Sequence, residues 1–275
     1  MEEYESSYTK KNHFSFGKNW SKFLKSLNDE KIDEAKKSLI EFFGETRTIK
    51  GKTFIDIGCG SGLFSLAAYL LGAEKVVSVD VDRFSVSCAK YLREKSGNPN
   101  NWKILQGSAL DESFIKSLGK FDIVYSWGVL HHTGDMYRAF GNVINLIKDD
   151  GIFYLAIYNK FEKRFRGGTS RSWLKIKKIY NKSGNTTKQI LNLVYATYLL
   201  LVRSVLLENP GRYIKEYKTL RGMDFFTDVK DWLGGYPYEF ATVDEIADFF
   251  KKKGLLIEKV KPIIGTGCNE FLLKK

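Results

Sequence analysis

Two clusters in this 275-residue chain have residue types and spacings suited to chemistry. The first is Phe54-Ile55-Asp56-Ile57-Gly58-Cys59-Gly60-Ser61-Gly62, an apolar run that ends in three alternating glycines. A strand turning through such glycines into a helix lets a ligand approach the backbone where no Cβ intrudes. The GxGxG spacing differs from the GxGxxG of the dinucleotide fingerprint. Asp80 closes the next apolar run, Val77-Ser78-Val79-Asp80, and a carboxylate there can accept both hydroxyls of a ribose. Asp56, just ahead of the glycines, repels a pyrophosphate and welcomes an amine. Together they favour a nucleoside bearing an amino acid over a dinucleotide.

The second cluster is His131-His132, two of the three histidines in the chain, at the turn after the apolar run Phe121–Tyr125. Imidazole is the usual general base near neutral pH. His132 is the first choice for that role and His131 the second, although either ring serves equally as a buried imidazole holding the next helix. Asp135 and Glu270 are placed to orient an imidazole or a substrate, and Asp135 suits a helix cap as well. Tyr158 and Asn159 follow an apolar run and are expected on the rim of a pocket. Tyr236, Tyr238 and Glu239 stand beside paired glycines in a loop that displays polar groups, and Asn269 and Glu270 are expected to face the same cavity. Glu239 or Glu270 is predicted to bind substrate hydroxyls.

Short apolar runs alternate with amphipathic helices from residue 52 onward. Strands are predicted at Thr53–Ile57, Lys75–Val79, Trp102–Leu105, Phe121–Tyr125, Gly151–Ile157, Leu255–Val260 and Glu270–Leu273. Strand–helix alternation implies crossover units and a mostly parallel sheet covered on both faces. A helix is read over Asn19–Phe43, where Ile32, Ala35, Leu39 and Phe42 share one face. The alternation lapses for about eighty residues after Tyr158, then returns at Thr242-Val243-Asp244-Glu245, a capping box. The last two strands form a hairpin through a loop containing Gly265. The expected organisation is an N-terminal helical lid over 1–50 and a core over 51–275 that carries an inserted subdomain at 159–240.

On these residues the chain resembles the class I S-adenosylmethionine-dependent methyltransferases. Asp56 to Gly62 matches the first motif of that family and Asp80 its ribose-binding acid. Gln106-Gly107-Ser108-Ala109 stands where the family places its adenine-contacting turn, with Ser108 in place of the usual aspartate. Phe121 to His132 resembles the fourth strand and active-site turn, and Asp149-Asp150-Gly151 the turn entering the fifth strand. The resemblance implies an α/β, Rossmann-like, seven-stranded sheet with an antiparallel C-terminal hairpin. It implies S-adenosyl-L-methionine as cofactor and S-adenosyl-L-homocysteine as product; no tight carboxylate/His cluster occurs in the sequence, so no metal is expected. Cofactor contacts are then expected from Asp56, Gly58, Cys59, Gly60, Gly62, Asp80, Val81, Ser108, Ala109, Ser126 and Trp127, with Phe16 and Trp20 packing over it as the lid.

The stretches Phe14–Trp20, Asp231–Glu239 and Gly267–Phe271 are similar to a group of bacterial small-molecule methyltransferases, several of which are similar to enzymes that modify sugars of surface polysaccharides. That likeness implies methyl transfer to a carbohydrate oxygen, with a nucleotide sugar as the expected acceptor. Residues 160–188 hold ten Lys and Arg against the single acid Glu162, within a chain of net charge +12. Arg164, Arg166, Arg171, Lys175 and Arg221 are candidates for a pyrophosphate, since guanidinium forks bind phosphate oxygens in pairs.

Composition removes several classes. Hydrophobic residues at 43% and charged residues at 28% describe a globular chain. Cys59, Cys88 and Cys268 form no CxxC pair, so no disulfide framework or structural zinc is expected, and a cytoplasmic location is. Three rival readings stay open. One is an RNA methyltransferase using the basic segment, although no RNA-binding module is recognised and nucleic acid is not the expected partner. Another is a quinone or lipid methyltransferase whose Ile190–Leu207 stretch lies on a membrane. The third is a non-catalytic cofactor-binding partner. The oligomeric state is not readable.

Overall fold

The computed structural model describes residues 17, 24, 27–44, 47–162, 169–206, 208–221 and 224–275, with the backbone alone at 218–221. Seven strands are formed: β1 (Thr53–Ile57), β2 (Lys75–Asp80), β3 (Trp102–Gln106), β4 (Phe121–Trp127), β5 (Ile147–Tyr158), β6 (Leu256–Lys261) and β7 (Cys268–Lys274). They lie in one sheet in the order β3-β2-β1-β4-β5-β7-β6. The pairings among β1 to β5 are parallel, whereas β7 runs antiparallel to both β5 and β6. This is the expected α/β, Rossmann-like fold with its C-terminal hairpin. Strand ends fall within two residues of the sequence reading except at β5. That strand starts at Ile147 because Phe121 pairs with Ile147 before the register shifts to Ile123 opposite Ile152.

Alternate strand residues pack on opposite faces, as the two-residue period of a strand requires. Ile55, Val77, Val124, Phe153 and Phe271 belong to one apolar cluster. Phe54, Val76, Ile123, Tyr154 and Leu272 belong to the other. On the first face lie α4 (Glu112–Ser117), α5 (Met136–Ile144) and α10 (Val243–Lys252). On the second lie α1 (Asp29–Phe43) and α2 (Leu63–Leu70), while α3 (Arg83–Lys95) joins β2 to β3. The helix α1 is shorter than the stretch read from sequence. Asn28 accepts from the Lys31 amide as an N-cap, and Leu27 and Asn28 lie outside the helix. The capping box of Thr242 and Glu245 forms as expected.

Among the described residues, four helices occupy the stretch between β5 and α10: α6 (Ser170–Lys182), α7 (Asn185–Val205), α8 (Pro210–Arg221) and α9 (Phe225–Gly234). They meet around a third apolar cluster that includes Trp173, Tyr180, Ala196, Tyr217 and Phe225. After β1 the chain proceeds outward through β2 and β3, then returns to β4 on the other side of β1. Such a reversal leaves a crevice at the carboxyl ends of β1 and β4, where ligands bind in open α/β sheets.

Candidate active site

At the end of β1 the chain turns sharply. The amides of Gly58 and Cys59 both donate to the Val79 carbonyl, at 2.7 and 3.0 Å. Gly58 has φ +79°, and a Cβ added there would stand 2.2 Å from Val129 Cγ1. Gly62, at φ +83°, begins α2 so close to α3 that a Cβ would meet Ala89 Cα at 2.9 Å. Asp80 braces the turn: its carboxylate accepts from the Gly60 amide at 2.9 Å and the Asp82 amide at 2.8 Å.

Burial pushes the Asp80 carboxyl up to about 6, against those backbone donors. Burial likewise raises Asp56 to about 7, against the pull of Ser65. A relay of donors points at Asp56. Trp102 Nε1 donates to Ser78 at 2.8 Å, Ser78 to Ser65 at 2.7 Å, and Ser65 to the Asp56 carboxylate at 2.7 Å. Every donor in that chain favours the ionised carboxylate, so a cationic ligand beside Asp56 completes the arrangement. Cys59 is buried, and burial raises its thiol well above the ordinary range, followed by the charges of Asp80 and Asp56. It stays a neutral thiol.

The two histidines lie in a 3₁₀ turn at Leu130–His132. Such a turn has about three residues per revolution, so neighbouring side chains diverge by roughly 120°. His131 points into the core and is wholly buried. Its Nδ1 accepts from the Tyr158 amide at 3.2 Å, so its proton sits on Nε2, which has no hydrogen-bond partner among the described residues. Burial holds this imidazole neutral, well below its usual range, and the neighbouring His132 acts in the same direction. His132 faces the crevice. Its Nδ1 lies 2.5 Å from the Pro237 carbonyl oxygen. A carbonyl only accepts, so Nδ1 carries a proton, and in the neutral form of the ring the lone pair is on Nε2.

The glycine turn, Asp80 and His132 open on one cavity of about 1430 Å³. A pocket for a single small molecule measures about 300–1,000 Å³, so there is room here for two. Its far end is walled by Tyr195, Tyr213, Tyr217, Trp232 and Tyr236. Among the described residues the lining holds eight carboxylates and two cations, Arg138 and Arg203. Arg203 is already forked onto Glu208 at 3.0 and 3.2 Å.

A family model described as a methyltransferase domain matches residues 49–214, more than half of the chain. The chain belongs to this methyltransferase family. It is 28% identical over 145 residues to a ubiquinone biosynthesis O-methyltransferase of Pelagibacter ubique, covering 52% of this chain and 58% of that protein. It is 41% identical over 108 residues to a ribosomal protein L11 methyltransferase of Tolumonas auensis, covering 39% of this chain and 34% of that one. This methyltransferase chain thus spans less than two thirds of the length of these curated relatives. Its fold is similar to that of a magnesium protoporphyrin IX methyltransferase from Synechocystis PCC 6803 solved with bound SAH. There the TM-score is 0.51 at 15% identity, covering 90% of this chain and 88% of the other.

Most of the expected cofactor contacts of the methyltransferase converge. Asp56, Gly58, Cys59, Gly60, Asp80, Val81, Ser108, Ala109 and Trp127 all line the cavity. Ser108 accepts from the Leu110 amide at 3.1 Å. Two do not line it. Gly62 is taken up in packing α2 on α3, and Ser126 is buried with its hydroxyl donating to the Ile57 carbonyl at 2.9 Å. Phe16 and Trp20 lie outside the described residues, as do Arg164 and Arg166, and the Arg221 side chain is not among those described.

Of the expected acceptor contacts, Tyr158, Tyr236 and Glu270 line the cavity. Glu270 is held by the Tyr154 hydroxyl and by Lys261 at 3.4 Å. The others are engaged elsewhere. Glu239 accepts from the amides of Gly134 at 3.0 Å and Met136 at 3.1 Å, closing the amino end of α5 with Asp135, the N-cap. Asn159 and Asn269 bond to each other at 3.1 Å and brace the loop that carries Ile263 and Gly265. Tyr238 is buried in the third apolar cluster. Arg171 is exposed beside Glu162, and Lys175 is exposed on α6. The sequence reading missed Tyr195, Arg203, Tyr213, Tyr217, Asp228 and Trp232, which line the cavity from α7, α8 and α9. Trp232 falls inside the Asp231–Glu239 stretch, the one signal that pointed toward this wall.

Proposed function

We propose that this chain transfers a methyl group from S-adenosylmethionine to the hydroxyl oxygen of an uncharged, ring-bearing small molecule. The observation that carries the reading is the place of His132, held through Nδ1 by the Pro237 carbonyl, on a cavity large enough for cofactor and acceptor together. The residues fit the cofactor. Asp80 offers a braced carboxylate for ribose, and the acidic lining suits a cation. Bound there, S-adenosylmethionine would supply an electrophilic methyl group on a positively charged sulfur.

The chain's own residues would do the rest. Nε2 of His132 takes the proton of the acceptor hydroxyl, and the Pro237 carbonyl steadies the resulting imidazolium through Nδ1–H. The aromatic walls hold the acceptor ring, and such positioning supplies much of the acceleration in a displacement reaction. The similarity to a ubiquinone biosynthesis O-methyltransferase supports oxygen as the accepting atom. We also propose that the 1–50 segment acts as a lid, since Gly17 donates to Asp82 at 3.2 Å on the cavity edge, and that the 159–240 insertion selects the acceptor.

A nucleotide sugar is the second reading, and Arg203 is the observation that favours it. Against it stand Asp228, Asp231 and Glu270 on the same walls, which repel a pyrophosphate. Mass spectrometry of products formed from a panel of phenols, hydroquinones and nucleotide sugars separates the two. A methyl ether on a phenol or hydroquinone supports the first reading, and one on a sugar hydroxyl replaces it with the second.

A further inference from the structure

Helix α7 has an inner and an outer face that make different demands. The inner face packs Leu191, Ala196 and Leu200 into the third apolar cluster, and Tyr195, Leu199 and Arg203 line the far end of the cavity. The outer face of a surface helix is ordinarily charged or polar. Here it is apolar: Ile190, Leu193, Val194, Leu201 and Val205 are between 57% and 81% exposed. No charged residue occurs between Lys188 and Arg203. Ten of the nineteen large hydrophobic side chains exposed among the described residues lie within 176–206. A contiguous apolar surface of this kind marks a contact site rather than ordinary scatter.

The neighbouring charges say what covers it. The adjoining helix α6 exposes Lys175, Lys178 and Lys182, and Lys188 stands at the start of the apolar stretch. A second copy meeting this face through a twofold axis would set like charge against like. An acyl layer with anionic headgroups matches both features, because an interfacial helix buries its apolar side while flanking lysines meet the headgroups. No single helix among the described residues is long and apolar enough to cross a membrane.

We infer that the outer face of α7 docks on an anionic lipid surface. The inference stands apart from the activity proposed above. Where both hold, one wall of the acceptor cavity rests on the membrane, and acceptors that partition into lipid reach it directly.

Vesicle flotation tests it, using phosphatidylcholine vesicles with and without phosphatidylglycerol. The full chain is expected to float with the anionic vesicles, and to do so less as salt is raised. Leu193→Glu/Leu201→Glu should weaken that binding by about tenfold or more, with the circular dichroism spectrum unchanged. Lys175→Glu/Lys178→Glu/Lys182→Glu should weaken it comparably while leaving the apolar face intact. No flotation at low salt overturns the inference, and so does flotation that neither variant reduces. A wild-type dimer that Leu193→Glu/Leu201→Glu converts to monomer, with no vesicle binding, gives the face to a second copy instead.

Discussion

His132 and Pro237, 105 residues apart in the chain, meet through a hydrogen bond of 2.5 Å from Nδ1 to the carbonyl oxygen. The bond ties the turn after β4 to the loop before α10 and decides which nitrogen of the ring is basic. His131 next to it has the opposite tautomer and the opposite role. Replacing His131 by Ala should destabilise the fold by about 1–3 kcal/mol, since the buried Tyr158 amide loses its acceptor. Binding of S-adenosylhomocysteine by the protein that remains folded should be unchanged. Chemical denaturation and calorimetric titration read these two quantities separately.

Cofactor affinity should depend on pH through Asp80, which titrates near 6. As pH falls through that value the carboxylate gains a proton and loses the charge-assisted acceptors that a ribose needs. Titration calorimetry should therefore show S-adenosylhomocysteine binding that is tight above neutrality and weakens below about pH 6. Asp80→Asn should bind about 10- to 100-fold more weakly, with that pH dependence removed.

Stability without ligand should run the other way with pH. Asp56 titrates near 7 in the folded chain and in the ordinary carboxylate range when unfolded, so folding takes up a proton between those values. Its contribution is fully present below the unfolded value and is lost as pH rises through about 7. Asp56→Asn should gain on wild type as pH rises across that window, by up to about 4 kcal/mol. Thermal unfolding of both proteins over a pH series measures the difference.

Gly58→Ala should fail in two ways at once. The residue sits at φ +79°, and the new methyl would collide with Val129 at 2.2 Å. A left-handed residue costs about 1–2 kcal/mol and overpacking adds about 1–3. Thermal unfolding should show the loss, and titration should show S-adenosylhomocysteine binding weakened with it.

Glu239→Ala should act on stability. Its carboxylate is half-buried and accepts from two amides at the start of α5, so removal leaves both without that partner. A loss of about 1–3 kcal/mol in urea unfolding is expected, with S-adenosylhomocysteine binding retained.

The parts of the site legible in the sequence are local devices. The glycine turn, Asp80 and the alternating apolar runs each announce themselves within a few residues, and the strands of the sheet follow. What the sequence conceals is fixed at a distance. Glu239 looks like a displayed carboxylate because the amides it serves are 103 and 105 residues away. Adjacent histidines look interchangeable until a 3₁₀ turn sends one into the core and the other into the cavity. Tyr195 and Arg203 reach the far wall from α7 and Trp232 reaches it from α9, and no spacing along the chain foretells their meeting.

The most direct test of the account is transfer of an isotopically labelled methyl group from S-adenosylmethionine to a phenol or hydroquinone by wild type and His132→Ala. A positioned general base contributes about 10²- to 10⁴-fold. A loss of that size in kcat is expected for the variant, with the affinity for S-adenosylhomocysteine unchanged. Transfer at the wild-type rate by His132→Ala would contradict it.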